Sequence, residues 1–440
     1  MRDKFKITPA QITVLGFLLL ILFGTLLLCL PFASTGNAAH FVDALFTATS
    51  ATCVTGLSTL TTATQWTVFG KIIILLMIQI GGIGFMTFMS LTTIAKKTAS
   101  LSKRKMLMQS AGSIELNGVI KLIQRVALGT FLIEGVGAVI LSIRFWTSGF
   151  SFFKGLWYGV FHSVSSFCNA GFDILGDNSL INYQNDPWVL ITVSCLIIIG
   201  GIGFLVWGDF TSHGFKFKKY QLHSKIVVVT TAILLVGGTL IFYFTERNYA
   251  LSSFSEGGKW LNAFFESVTL RTAGFASFDQ ASLSDGGSFV SYVFMLVGGS
   301  PGSTAGGIKT VTFAIVILNA ISFARNKDSV TIFKKRINDT TIKHAFAIIS
   351  IYLAATCLVT VVIALVEPFK LDDIIFEVVS AVGTVGLTKG ITSSLSIGSK
   401  LLLCATMFFG RMGGLTLLLA IAEKRNFIKL ERPYEKVLIG

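Results

Sequence analysis

Eight long apolar stretches, at residues 10–30, 66–95, 119–143, 187–207, 226–244, 289–323, 344–366 and 401–422, leave this chain of 440 residues little choice of solvent. A hydrocarbon core about 30 Å thick takes roughly 20 apolar residues in helix, and each stretch is long enough. Charged residues make up 13% of the chain and hydrophobic ones 52%. The charged share is about half the ~25% of an ordinary soluble domain, so no water-soluble fold could hide this much apolar surface. The pattern predicts an all-α polytopic membrane protein. Its first stretch follows Arg2, Lys4 and Lys6. It outruns the roughly 7–15-residue apolar core of a signal peptide and is followed by further spans, so it reads as an uncleaved first helix.

The net charge of +14 invites a nucleic-acid reading, and the placement of the charge excludes it. Of 36 Lys and Arg, 25 fall in five polar stretches: three in 2–6, seven in 96–125, four in 216–225, six in 325–343 and five in 424–436. Basic residues beside apolar spans mark the cytoplasmic side of a membrane, whereas a nucleic-acid surface gathers them on one face. Eight spans return the chain to the side it started from. Both termini and all three internal basic connections then lie in the cytoplasm, a multi-pass arrangement. The six cysteines form no CxxC pair and the five histidines no constellation, so neither a disulfide framework, a bound metal nor a cofactor is expected. A polytopic enzyme would need a nucleophile–base or metal constellation at membrane depth, and none is visible.

Between paired spans lie four shorter segments, at 40–53, 153–168, 259–271 and 371–383, too short to cross and suited to re-entrant helices. Each runs into a turn ending in glycine: Val54-Thr55-Gly56, Asn169-Ala170-Gly171, Thr272-Ala273-Gly274 and Thr384-Val385-Gly386. Ten residues before each glycine stands a phenylalanine, Phe46, Phe161, Phe264 or Phe376. The expected organisation is four tandem helix–pore loop–helix repeats around a single central pore, with eight transmembrane helices and four re-entrant pore helices. Their bounds are 1–95 (pore loop 40–57), 96–210 (pore loop 153–172), 211–325 (pore loop 259–275) and 326–440 (pore loop 371–387). Gly81-Gly82-Ile83-Gly84-Phe85 recurs as Gly200-Gly201-Ile202-Gly203-Phe204, and these glycines are expected to let second helices approach closely.

Irregular backbone at membrane depth is tolerated only where protein buries it or it lines a watery path. Four such turns around one axis would gather carbonyl oxygens that can replace the hydration shell of a cation. Four helix C-termini pointing at that axis would add on the order of −2 charges. A single turn of this kind means no more than a bend or a packing site. Four, each behind a half-helix between two spans, point to a cation filter.

The third repeat departs from the others. Its second span is interrupted by Gly298-Gly299-Ser300-Pro301-Gly302-Ser303-Thr304-Ala305-Gly306-Gly307-Ile308-Lys309, which cannot continue a helix. The near-match to a phosphate-binding loop fails because Ile308 separates Gly307 from Lys309, and no βαβ context surrounds it. The stretch either lines a cavity or fills a packing gap. Arg411 lies mid-span, where a charge must face water or a partner. The bland alternative is a cross-tie between helices, with Glu134 as one candidate. Asp173, Asp177, Asp186, Asp279, Asp285, Asp372 and Asp373 gather on the other face, as a solvated rim or as a lure for cations.

Taken together, the eight spans, four glycine turns, broken sixth span and last-span arginine resemble the membrane subunit of Ktr-type bacterial potassium uptake systems, within the Trk/Ktr/HKT superfamily. The resemblance implies a potassium selectivity filter with its glycines at Gly56, Gly171, Gly274 and Gly386. Glycine rather than serine at 56 implies potassium over sodium. It makes 298–309 an intramembrane gate loop and sets Arg411 beside pore and gate. It further implies a homodimer on a cytosolic ring of nucleotide-binding regulatory subunits of the RCK/KTN type, with ATP or ADP bound by the ring. Membrane lipid is the remaining partner, and sodium is left open as an activating ion. The alternative on the same scaffold is a sodium-coupled or sodium-permeable cation transporter.

Overall fold

The computed structural model describes residues 9–84, 119–327 and 329–413. The end of the second span, most of the basic stretch 96–125, the first eight residues and the tail 414–440 lie outside the described residues.

Four long helices, α1 (Pro9–Leu28), α4 (Val119–Thr147), α8 (Leu222–Glu246) and α12 (Asp339–Val366), are long and apolar enough to cross a membrane. Their most apolar windows are only 11–44% buried, so side chains such as Leu19, Phe23, Leu132 and Leu365 face outward, where lipid is the solvent. Each long helix is followed by a short one: α2 (Phe41–Cys53), α5 (Phe152–Phe167), α9 (Glu256–Thr269) and α13 (Leu371–Gly383). At 13–16 residues these reach about 20–24 Å and cannot span. Their last turns are buried, as are Phe46, Phe161 and Phe376, with Phe264 partly so.

A third helix completes each group: α3 (Val68–Ile83), α6 (Pro187–Gly201), α10 (Asp285–Leu296) and α14 (Ile397–Met412). The span expected as one helix at 187–207 is broken. Gly203 takes φ +96°, and α7 (Phe204–His213) leaves at 94° to α6. Gly84 and Gly413 end α3 and α14 with φ of +91° and +78°, values that a side chain disfavours. The basic connection 325–343 holds a two-residue-turn hairpin, β1 (Thr331–Ile332) with β2 (Lys335–Arg336), in which Phe333 and Lys334 both take positive φ.

The groups close into a circle. α3 packs on α5, α6 on α9, α10 on α13 and α14 on α2, so each group's third helix supports the short helix of the next. Each third helix is also fastened at its start to the end of its own long helix, by different chemistry each time. The Thr67 hydroxyl donates to the Phe32 carbonyl at 2.8 Å and accepts from Gly70 N at 3.4 Å. Arg144 donates to Asp186 at 2.7 Å, while Asp186 accepts from Trp188 and Val189 N. Glu246 accepts from Ser284 N at 3.1 Å, and Glu367 from Ser396 N at 2.9 Å and the Ser399 hydroxyl at 2.6 Å.

Glu367→Ala should therefore lower stability by about 1–2 kcal/mol, the range for a lost helix cap. The unfolding temperature in detergent, followed by tryptophan fluorescence, checks this; an unchanged value would remove the fastening role. Burial pushes the Glu367 carboxyl up, but the bonds from Ser396 and Ser399 outweigh it and hold it below the usual carboxylate range. The contribution is thus complete above that range and is lost as pH falls through the depressed folded value.

Candidate functional site

The short helices end by one device used four times. Val54, Asn169, Thr272 and Thr384 take left-handed φ of 58°, 59°, 71° and 53°, a conformation that asparagine tolerates and that strains the three β-branched residues. The next N–H then folds back onto the helix: Thr55 N to Ser50 O, Ala170 N to Ser165 O and Val385 N to Ser380 O, each at 2.8 Å. In the third repeat Gly274 N reaches Thr269 O at 3.4 Å. With the donors turned back, the chain runs on through Gly56, Gly171, Gly274 and Gly386 at φ of 98°, 67°, 80° and 99°.

These four glycines form a closed ring. A Cβ added to Gly56 would lie 2.6 Å from Ala170 O; on Gly171, 2.7 Å from Ala273 O; on Gly274, 2.3 Å from Val385 O; on Gly386, 2.0 Å from Thr55 O. Each glycine thus lies against the carbonyl preceding the next, and the fourth returns to the first. The structure brings together all twelve residues of the four turns that the sequence singled out. Hydroxyls the sequence reading missed brace them. Ser50 and Ser380 accept from Gly56 N and Gly386 N at 3.0 Å, while Ser165 and Thr269 donate to Phe172 O and Phe275 O at 2.7 Å.

The GGIGF glycines do permit close approach. A Cβ on Gly81 or Gly200 would fall 2.0 Å from Thr52 O or 1.9 Å from Phe167 O, and Gly410 stands 2.2 Å from Val382 O in the same sense. Each meets the carbonyl four residues before a ring glycine. The last glycine of each motif ends the helix, a role the close-approach reading left out.

The 298–309 stretch joins α10 to α11 (Thr310–Ala324) and arches beneath the ring. Its ends meet, Gly298 N bonding to Ile308 O at 2.9 Å and Ile308 N to Leu296 O at 3.1 Å. Ser300 N and Thr304 N take the carbonyls of Gly201 and Gly200, at 2.9 and 3.3 Å, and Gly302 O accepts from Phe204 N at 2.8 Å. The break between α6 and α7 is therefore filled by backbone from the next repeat, which explains why that helix cannot continue. Pro301 O lies 2.8 Å from where a Gly203 Cβ would be. The arch also touches the ring's supports: Cβ positions on Gly306 and Gly298 would fall 2.0 Å from the Thr384 hydroxyl and 3.0 Å from Thr272 Cγ2. Ser303 accepts from Ala305 N at 3.3 Å, and Thr304 Oγ1 donates to Phe167 O at 3.1 Å.

Two cations hold this stretch, and both bind carbonyls. Lys309 Nζ donates to Ala305 O at 2.6 Å and Gly306 O at 3.3 Å. Arg411 donates to Thr304 O, Gly81 O and, at 3.1 Å, Gly82 O, tying the arch to the end of α3. Glu134 is not its partner; both Glu134 oxygens accept from Gln79 at 3.0 Å. Of the seven carboxylates expected at the rim, several have local duties: Asp186 and Asp279 cap helices, and Asp372 pairs with Lys389.

Residues 3–429 match the TrkH family, whose description is "Cation transport protein". The chain belongs to the TrkH family. Relatives over the full chain agree. The potassium/sodium uptake protein NtpJ of Enterococcus hirae is 41% identical across 100% of this chain and 99% of its own. Ktr system potassium uptake protein B of Vibrio alginolyticus is 37% identical across 100% and 96%. The crystal structure of the potassium transporter TrkH from Vibrio parahaemolyticus superposes with a TM-score of 0.73 at 17% identity, covering 96% of this chain and 87% of that one, a likeness of fold. This TrkH-family chain is accordingly a multi-pass helical membrane protein of a transport family.

Proposed function

We propose that the chain takes potassium into a bacterial cell through the glycine ring, one conduit per chain, with both termini in the cytoplasm. The closed circle of Gly56, Gly171, Gly274 and Gly386 carries the reading. It offers the carbonyls of Thr55, Ala170, Ala273 and Val385 with no side chain on the glycines, and carbonyl oxygens can stand in for a cation's water. Val54, Asn169, Thr272 and Thr384 hold the turns, and the four helix ends behind them favour positive charge. The arch at 298–309 is the gate, and Arg411 latches it shut by the bonds to Thr304, Gly81 and Gly82.

A gate needs a ligand that distinguishes its two states. We assign this to a separate cytosolic ring of nucleotide-binding subunits beneath a dimer of this chain. The names of the Ktr system relatives, which describe one protein of a system, support that assignment. A second reading, sodium passing alongside potassium, is favoured by the relative named for both ions. Expression in cells lacking potassium uptake should restore growth on limiting potassium. Flux should rise when ATP rather than ADP is supplied to the chain with its ring. Growth restored only when sodium is added would favour the second reading, and nucleotide-indifferent flux from the chain alone would remove the ring.

A further inference from the structure

The 94° break between α6 and α7 opens a groove of about 660 Å³, within the roughly 300–1,000 Å³ of pockets that enclose a small molecule. Its walls come from four helices and one connection: Ile133 of α4, Ile198 of α6, Trp207 of α7, Val228 of α8, and Phe217 and Tyr220 between α7 and α8. Walls of this kind do not hold ordered water, which needs two to four polar partners. Phe210 and Phe215 also line the groove and are 46% and 91% exposed, so it opens to the surroundings of the protein. Phe204 lines it as well, and its N–H donates to Gly302 O at 2.8 Å, which puts the groove directly behind the seat of the arch.

Cations stand at this groove without counter-ions. Arg125 of α4 lines it, is exposed, and makes no hydrogen bond or ion pair among the described residues. Lys216, Lys218 and Lys219 flank the lining residues Phe217 and Tyr220, and none of the three is in an ion pair among the described residues either. Asp209, the carboxylate on α7, does not line the groove; it is 6% exposed and accepts from Gln221 N at 3.0 Å. An apolar slot beside unpaired cations fits an amphiphile with an anionic head. A second copy of the chain fits it less well, because a two-fold contact would set the same cations against each other.

We propose that this groove holds an anionic phospholipid of the surrounding membrane, with an acyl chain against Trp207 and the phosphate at Arg125. Lipid tails are as apolar as the walls, so the chain gains little by leaving the bilayer and the charge of the head decides which lipid is held. One neutralised cation is worth roughly a fivefold change in affinity. Trp207 makes a probe of the site. The full chain is reconstituted in phosphatidylcholine vesicles with rising fractions of acyl-brominated phosphatidylglycerol or acyl-brominated phosphatidylcholine. Quenching of Trp207 is the difference between the parent protein and Trp207→Phe. Half-quenching should need an about five- to tenfold smaller fraction of the phosphatidylglycerol. Arg125→Gln should remove most of that preference, and Arg247→Gln, an exposed cation at the far end of α8, none of it. Val228→Phe fills the groove and leaves every cation in place, and it should largely abolish quenching by either lipid. Equal half-quenching fractions for the two lipids in the parent would overturn the site. So would a preference that survives Arg125→Gln, the mark of diffuse attraction to the basic connection, or quenching that a folded Val228→Phe leaves unchanged. Should Val228→Phe not fold, Arg125→Gln decides. No quenching of Trp207 by either lipid would mean that protein covers the groove, a second copy or the rest of this chain, and would overturn the proposal equally. The readout needs no transport, so its outcome is separate from that of the proposed conduit.

Discussion

Gly386→Ser will collapse the preference for potassium over sodium, and more completely than Gly56→Ser. A Cβ on Gly386 would sit 2.0 Å from Thr55 O and 2.8 Å from Gly56 Cα; on Gly56 the nearest atom is Ala170 O at 2.6 Å. Both are backbone contacts, which cannot swing aside as a flexible side chain could. Both glycines also hold φ near +100°, which a serine disfavours. The ring must therefore widen where carbonyl spacing decides which ion is matched. A tenfold or greater fall in the potassium-to-sodium flux ratio is expected for Gly386→Ser, about 1.4 kcal/mol or more of lost discrimination. Gly237→Ser, where an added Cβ meets nothing within 4 Å, should behave as wild type. A folded Gly386→Ser protein with an unaltered ratio would show that ions do not pass through this ring.

Arg411→Ala should leave the conduit leaking under conditions that keep the parent protein closed. The guanidinium spans two pieces of backbone, Thr304 O on the arch and Gly81 O and Gly82 O at the end of α3. A hydrogen bond from a charged group contributes about 1.5–3 kcal/mol, and of the three only the one to Thr304 O is made with the arch itself. Losing the tie should shift the open-to-closed ratio by roughly 10- to 100-fold. Arg411→Lys should restore only part of the closure, because one ammonium cannot present a planar fork to both partners. Potassium efflux from vesicles with ADP on the regulatory ring measures this. Reduced expression with normal closed-state tightness would instead make Arg411 a brace of the fold.

The broad architecture was legible because it rests on the strongest signals a sequence carries. Span length and the recurring glycines anticipated the long helices, the short ones and the turns that the structure brings into one ring. What stayed hidden depends on contacts between distant segments. Glycines in GGIGF can permit close packing or end a helix; they do both, and only the arch seated against Gly200, Gly201 and Phe204 explains the 94° break within 187–207. The partners of Arg411 were equally unreadable, because carbonyl oxygens belong to every residue and leave no compositional mark. Glu246 and Glu367 belong to no sequence motif, and their use becomes visible only once Ser284 and Ser396 stand beside them.

The fastenings between long and third helices all lie at the ends of the long helices, while Gly84, Gly203 and Gly413 stand at the other ends of their helices. Stiffness is therefore graded along the ring axis. One half of the molecule behaves as a rigid collar, anchored four times by hydroxyls, carboxylates and a guanidinium. The other half carries the swivels. If the arch is the gate and the ring the filter, as proposed, a movement of the arch would be absorbed below the collar without altering the spacing of the carbonyls above it, and admitting ions would be mechanically insulated from choosing them.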